Sequence, residues 1–321
     1  MTRTRSLATS LLSLSAAALL ALTTAGGATA APAASGDKEH PSVTSAAVDG
    51  TGAADYWTAE RMRSAIPGDV LAGKALERGN TSSAATVEKG ANTKVRAGKG
   101  KPTIAVSENP VDHIGKVFFT LGGTNYVCSG NAVVSANKST VATAGHCLNE
   151  GPGAFATNFI FAPKYENGVA PYGKWTAKGL YAPSDWSNYG DMQYDTGFAV
   201  MNTLNGKYLS DVVNESGVEF NAARGLTYKA YGYPAASPFN GESLKSCYGA
   251  ASNDPNNGRF LTQGIPCDMT GGSSGGPWFI GSGAAGLQNS INSYGYSGSP
   301  VMYGPYWGTV IQDTYKSAAA S

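Results

Sequence analysis

The 321-residue chain changes character near Ile104. Before that point there is no cysteine and little continuous apolar sequence. Beyond it, short β-rich runs alternate with Gly, Asn and Ser turns. Lys116–Leu121, Gly122-Gly123 and Asn125–Cys128 read as strand, turn, strand. Asn131–Val134 and Ser139–Ala144 add two more strands around a turn at Ser135–Lys138. The pattern continues through Phe159–Phe161, Lys174–Lys178, Thr196–Met201 and Leu226–Tyr233. Trp307, Val310, Ile311 and Tyr315 then recur at helical spacing and predict a C-terminal helix. Residues 106–321 therefore read as an all-β domain closed by one helix. With 42 Gly, 17 Tyr and only 14% charged residues, the composition suits a turn-rich extracellular β protein.

The N-terminal third reads differently. Residues 1–30 have the form of a secretory signal peptide: Arg3 and Arg5, an apolar core over Leu7–Leu22, and the small-x-small pattern Ala28-Thr29-Ala30. The arginines are not adjacent, which argues against twin-arginine export. Residues 31–105 read as a propeptide, largely disordered, with Ala31–Ala54 unstructured. One short helix is expected over Tyr56–Ala65, stopped before Pro67, and a basic, processing-prone linker over Thr81–Lys101. A formal net charge of +1 gives no reason to expect nucleic acid or an acidic membrane surface as partner. No later apolar run reaches transmembrane length. Four cysteines behind a secretion signal imply two disulfides. Their spacings of 19, 100 and 20 positions contain no paired-ligand motif, so no metal is expected.

Within the β domain, Cys267–Trp278 concentrates the chemistry. Two small residues precede Ser274 and two glycines follow it. Such a turn exposes the hydroxyl and aims the N–H groups of Gly272 and Ser274 into one space, where an oxyanion would sit. A serine nucleophile needs a base that titrates near neutrality, which is histidine. Of the three histidines, His40 lies in the propeptide and His113 in a polar segment before the first strand, which leaves His146. Asp185, Asp191 and Asp195 lie between it and Ser274.

Gly272-Ser273-Ser274-Gly275-Gly276-Pro277 resembles the Gly-Asp-Ser-Gly-Gly-Pro of the chymotrypsin/trypsin superfamily, with Ser273 departing from the pattern. Thr143-Ala144-Gly145-His146-Cys147 resembles the superfamily's Thr-Ala-Ala-His-Cys. Asp195-Thr-Gly-Phe-Ala-Val-Met201 has the form of its buried aspartate strand, with Asp191 as the fallback. The order His, Asp, Ser is that of chymotrypsin. The nearest branch looks like the bacterial glutamyl-endopeptidase-like enzymes. The resemblance covers roughly residues 110 to 317 and implies two packed six-stranded antiparallel barrels. It also implies the pairing Cys128–Cys147, which leaves Cys247–Cys267; the first bridge should stabilise by roughly 3 kcal/mol.

The expected protein is a secreted serine endopeptidase acting on protein or peptide substrates, monomeric, with no cofactor, no nucleic acid and no membrane contact after signal removal. His146 would be base and acid, Asp195 its orienting partner, Ser274 the nucleophile, and the N–H groups of Gly272 and Ser274 the oxyanion hole. The alternatives are a weak or inactive binding module of the same fold, or a secreted esterase using the same triad. Asp268 stands six positions before Ser274, where the resemblance to trypsin-like enzymes implies the base of a pocket for Lys or Arg; the alternative is a structural carboxylate beside an uncharged, broader pocket. Ser273 carries no charge to offset a buried N-terminal ammonium, so activation through such a pair is not expected. N-terminal sequencing of the secreted protein should find its start between Ala97 and Glu108, and N-terminal acetylation alone should leave activity intact.

Overall fold

The structure is a computed structural model and describes residues 42–78, 105–258 and 261–321. The expected signal peptide over residues 1–30 and the expected linker Thr81–Lys101 lie outside the described residues. In chain order the strands are β1 (Val43–Ala47), β2 (Ile66–Pro67), β3 (Val106–Ser107), β4 (Ile114–Leu121), β5 (Thr124–Val133), β6 (Thr140–Thr143), β7 (Thr157–Pro163), β8 (Trp175–Pro183), β9 (Gly197–Met201), β10 (Thr227–Gly232), β11 (Lys245–Ala250), β12 (Ser252–Asn253), β13 (Gln263–Pro266), β14 (Pro277–Ile280), β15 (Gln288–Ile291) and β16 (Val301–Gly304). The α-helices are α1 (Ala53–Tyr56), α2 (Ala59–Ser64), α3 (Asp69–Arg78), α4 (Ser184–Tyr189), α5 (Leu209–Val213) and α6 (Thr309–Ala319). No described helix is long and apolar enough to cross a membrane.

Six strands close the first barrel in the order β8-β7-β4-β5-β6-β9, with β9 pairing back onto β8. The β4–β5 hairpin turns on Gly122 (φ 56°) and Gly123 (φ 78°), two consecutive left-handed residues that a two-residue hairpin of this twist requires. Asn125–Cys128 and Asn131–Val134, read above as two strands, form one: β5 pairs with β4 without interruption from Thr124 to Asn131. Ser129 and Gly130, left between the two expected strands, continue the ladder. The second half comprises a five-stranded sheet, β15-β14-β10-β11-β3, and a three-stranded sheet, β12-β13-β16. The Cys247–Cys267 disulfide ties β11 of the first to the end of β13 in the second. Both disulfides are the pairs implied by the resemblance.

The C-terminal helix packs on the first barrel. Trp307, fully buried just before α6, stacks on Phe220, meets Phe198, and donates its indole N–H to Thr196 Oγ1 at 3.2 Å. Ile311 and Ala318 carry the buried face onward.

Residues 43–78 are structured, contrary to the expectation that 31–105 is largely disordered and Ala31–Ala54 unstructured. β1 adds an antiparallel strand to β8, from Val43 opposite Pro183 to Ala47 opposite Gly179. Trp57 is fully buried against Phe118 and donates its indole N–H to Asn158 O at 2.6 Å. The helix expected over Tyr56–Ala65 is α2, which begins at Ala59 because Thr58 caps it, and a further short helix, α1, precedes it. A low-hydrophobicity segment like this gains its order by borrowing the barrel's surface, an effect absent from its own composition.

Trp307→Ala, made in a Ser274→Ala background to prevent self-digestion, should lower unfolding stability by about 3–5 kcal/mol in urea. Val169→Ala, at an exposed site, should stay within about 0.5 kcal/mol.

Candidate active site

His146 sits in the single turn Gly145–Cys147 that follows β6. The turn is fixed from both sides. Thr143 Oγ1 donates to Ser129 O at 2.8 Å, and Cys147 is bonded to Cys128 on β5. A Cβ on Gly145 would lie 2.8 Å from the Trp186 ring and 3.0 Å from Asp195 Oδ1, so the glycine that departs from the Ala of the superfamily motif makes room for Trp186.

Asp195 is the carboxylate that meets this imidazole. His146 Nδ1 lies 2.8 Å from Asp195 Oδ2, and the His146 backbone N–H donates to Oδ1 at 2.8 Å. Ser293 donates its hydroxyl to Oδ2 as a third donor. Both side chains are fully buried. An ionised carboxylate only accepts, so Nδ1 carries the proton and Nε2 presents its lone pair. Nε2 is buried and has no hydrogen-bond partner among the described residues. Asp191 points elsewhere: it caps the turn Met192–Tyr194, accepting from the Gln193 N–H at 3.0 Å.

The serine loop is held by its carbonyls. The Gly271 carbonyl accepts from the Ala235 N–H at 2.6 Å and the Ala236 N–H at 3.2 Å. In a planar trans peptide this turns the Gly272 N–H to the opposite side, away from Ala235. Gly272 takes φ 94° and Gly275 φ 80°, and added Cβ atoms would strike Tyr233 O and Ala235 at the first and Ser129 O at the second. Ser129, which the sequence reading passed over, clamps both flanks. Its N–H donates to Ser274 O at 2.7 Å and its hydroxyl to Gly272 O at 2.9 Å, while that hydroxyl accepts from the Tyr233 N–H at 2.9 Å. Asn292 and Ser293 were also missed; Asn292 Nδ2 bonds Ser273 O at 3.0 Å and Tyr231 O at 2.8 Å. The Ser273 hydroxyl is engaged inside the loop, donating to Thr270 O at 2.8 Å.

Asp268 lies at the start of the same loop, and its Oδ1 accepts from the Ala105 backbone N–H at 2.7 Å. Cys128, His146 and Cys147 are grouped closely enough to suggest metal ligands, but the two sulfurs are bonded to each other and are not thiolates.

The segment 43–78 reaches this centre. The Gly68 N–H donates to Val127 O at 2.9 Å, next to the Cys128–Cys147 bridge. Asp69 lays its carboxylate on Gly271, where any side chain would collide with it. Burial raises the Asp69 pKa, with the His146 imidazole pulling the other way. Under this cover Ser274 is only 4% exposed.

Asp195→Asn should lower kcat by about 10⁴-fold, because the amide favours the wrong imidazole tautomer. Asp191→Asn should be mild, since the carboxylate it removes caps a turn. Steady-state kinetics on one peptide substrate checks the ranking, and the reverse order would transfer the orienting role to Asp191.

No family model matches the sequence. Among curated proteins, an extracellular metalloprotease of Bacillus subtilis (strain 168) is 25% identical over 150 residues, 47% of this chain; the match spans about a third (36%) of that relative's length. Solved structures are nearer. The protease Anisep from Arthrobacter nicotinovorans is 76% identical, with a TM-score of 0.67, covering 68% of this chain and 100% of its own. The thermostable serine protease AL20 from an extremophilic microorganism is 54% identical, with a TM-score of 0.63, covering 65% and 98%. A Glu endopeptidase shares the fold at 20% identity and a TM-score of 0.54, covering 70% and 99%. At 76% and 54% identity over nearly the whole of those two chains, the chain belongs to the chymotrypsin-like serine protease family that includes Anisep and AL20.

Proposed function

We propose that the protein is a secreted serine endopeptidase, made as a precursor, that cleaves peptide bonds through Ser274, His146 and Asp195. The observation that carries this reading is the fully buried His146–Asp195 pair, which leaves Nε2 as the one unengaged nitrogen of the imidazole. In the reaction Ser274 Oγ attacks the substrate carbonyl as Nε2 takes its proton. Asp195 stabilises the imidazolium formed. The N–H groups of Gly272 and Ser274 receive the oxyanion, and His146 then returns the proton to the leaving amine. Water repeats the sequence on the acyl-enzyme.

Residues 31–105 are the propeptide in this reading, and the catalytic domain begins close to Ala105. Asp268 ties that beginning to the serine loop through the Ala105 N–H, which supports its structural role over a charged pocket base. The primary specificity pocket is then uncharged, and a Lys or Arg substrate gains little from Asp268.

Ser274→Ala should lose about 10⁶-fold in turnover while keeping the fold. A dead Ser273→Ala beside an active Ser274→Ala would shift the nucleophile by one position. Asp268→Ser should reduce kcat/KM about equally for peptides ending in Arg, Lys, Phe, Leu or Glu before the cleaved bond. A loss confined to Arg and Lys would restore the charged pocket.

A further inference from the structure

We infer that the catalytic domain carries a docking surface for its own segment Val43–Arg78, which fills the cleft as a non-cleavable inhibitor running opposite to a substrate. The inference rests on the assignment of Ser274 and His146 made above. The segment is held at separate places along its length. β1 extends the barrel beside β8, Trp57 is buried against Phe118, and Arg78 Nη2 closes the far end by donating to Gly151 O at 2.6 Å. Between these anchors β2 pairs with β5 in parallel, Ile66 opposite Tyr126 and Pro67 opposite Val127.

Direction follows from the proton path. His146 must protonate the leaving amine, so the C-terminal half of a substrate lies on the His146 and Cys128 side of Ser274. The acyl half lies on the opposite side of Ser274, and the carbonyl oxygen between the two halves faces the N–H groups of the serine loop. The segment is ordered the other way. Gly68 comes first, against Cys128 Sγ with His146 close by, and Asp69 follows against Gly271. α3 then leaves the cleft along an aromatic wall, burying Ala72 and Ala75 against Trp186, Tyr294 and Tyr303. What reaches the Gly271 loop is a side-chain carboxylate at the first turn of a helix. Acyl transfer to Ser274 Oγ needs a carbonyl carbon bearing a leaving group, and a carboxylate offers none. The peptide groups that follow are folded into α3 and are not extended across the nucleophile. Gly68 has no spare space: a Cβ there would lie 2.6 Å from Cys128 Sγ and 3.3 Å from Val127 O.

The test uses the full chain with a site for a sequence-specific protease inserted between residues 90 and 101. Fluorophosphonate labelling rate and co-elution of the segment are measured before cutting, after cutting, and after stripping the segment in mild denaturant. A tether supplies an effective concentration of roughly 1 mM, so an affinity of even about 10 μM would slow labelling of the uncut chain about 100-fold. The cut segment should co-elute at micromolar concentration, and labelling should recover on dilution. Gly68→Val and, separately, Ala75→Glu should release the segment and label uncut at close to the stripped rate. Labelling of the uncut wild-type chain as fast as the stripped enzyme would overturn the inference, as would co-elution unchanged in both variants. If the stripped enzyme fails to label at all, the catalytic assignment fails, while co-elution and its loss in the variants still judge the docking.

Discussion

A carboxylate buried beside an imidazole is the constraint around which this molecule is arranged. Asp195 is wholly removed from water, and an uncompensated charge there would cost several kcal/mol. Three donors from two regions of the chain compensate it: the His146 backbone N–H, the His146 ring and the Ser293 hydroxyl. The first two come from the turn after β6 in the first barrel. The third comes from the segment after β15 in the second half. The charge therefore draws the two halves together at the proposed catalytic centre, and the imidazole orientation follows from the same contacts.

The serine loop is tied to the same seam by different means. Ser129 belongs to β5 of the first barrel, yet it bonds the carbonyls on both sides of Ser273 and accepts from Tyr233 of the second half. The Ala235 and Ala236 N–H groups hold the Gly271 carbonyl. With the Gly271 carbonyl drawn to Ala235 and Ala236, the Gly272 N–H of the same planar peptide points the other way, as the proposed oxyanion hole requires. The same small-residue loop that permits this geometry leaves a gap over Gly271, and the Asp69 carboxylate lies in it.

Much of this was legible in the sequence where local chemistry is self-contained. The Gly122-Gly123 hairpin, the C-terminal helix and the serine turn are each written in neighbouring residues with distinctive backbone preferences. β5 reads as two shorter strands because Ser129-Gly130 carries no apolar or β-branched side chain, and only its pairing with β4 carries the ladder through. Ser129 and Ser293 gave no signal of their own: one hydroxyl beside a cysteine and one in a Ser/Tyr/Gly run are common, and their partners lie far away in sequence. The order of residues 43–78 was hidden for the same reason. Trp57 and β1 are stabilised by the barrel they dock on, and composition reports only what a segment can bury by itself.

We propose Ser274, activated by the His146–Asp195 pair, as the nucleophile. Reacting the stripped enzyme with a fluorophosphonate, followed by intact mass and peptide mapping, tests this assignment directly. One adduct per chain is expected, on Ser274 within the peptide containing Gly271–Trp278, formed far more slowly in Asp195→Asn. An adduct on Ser273 or on a serine outside this loop, or an unmodified chain after prolonged exposure, would contradict it.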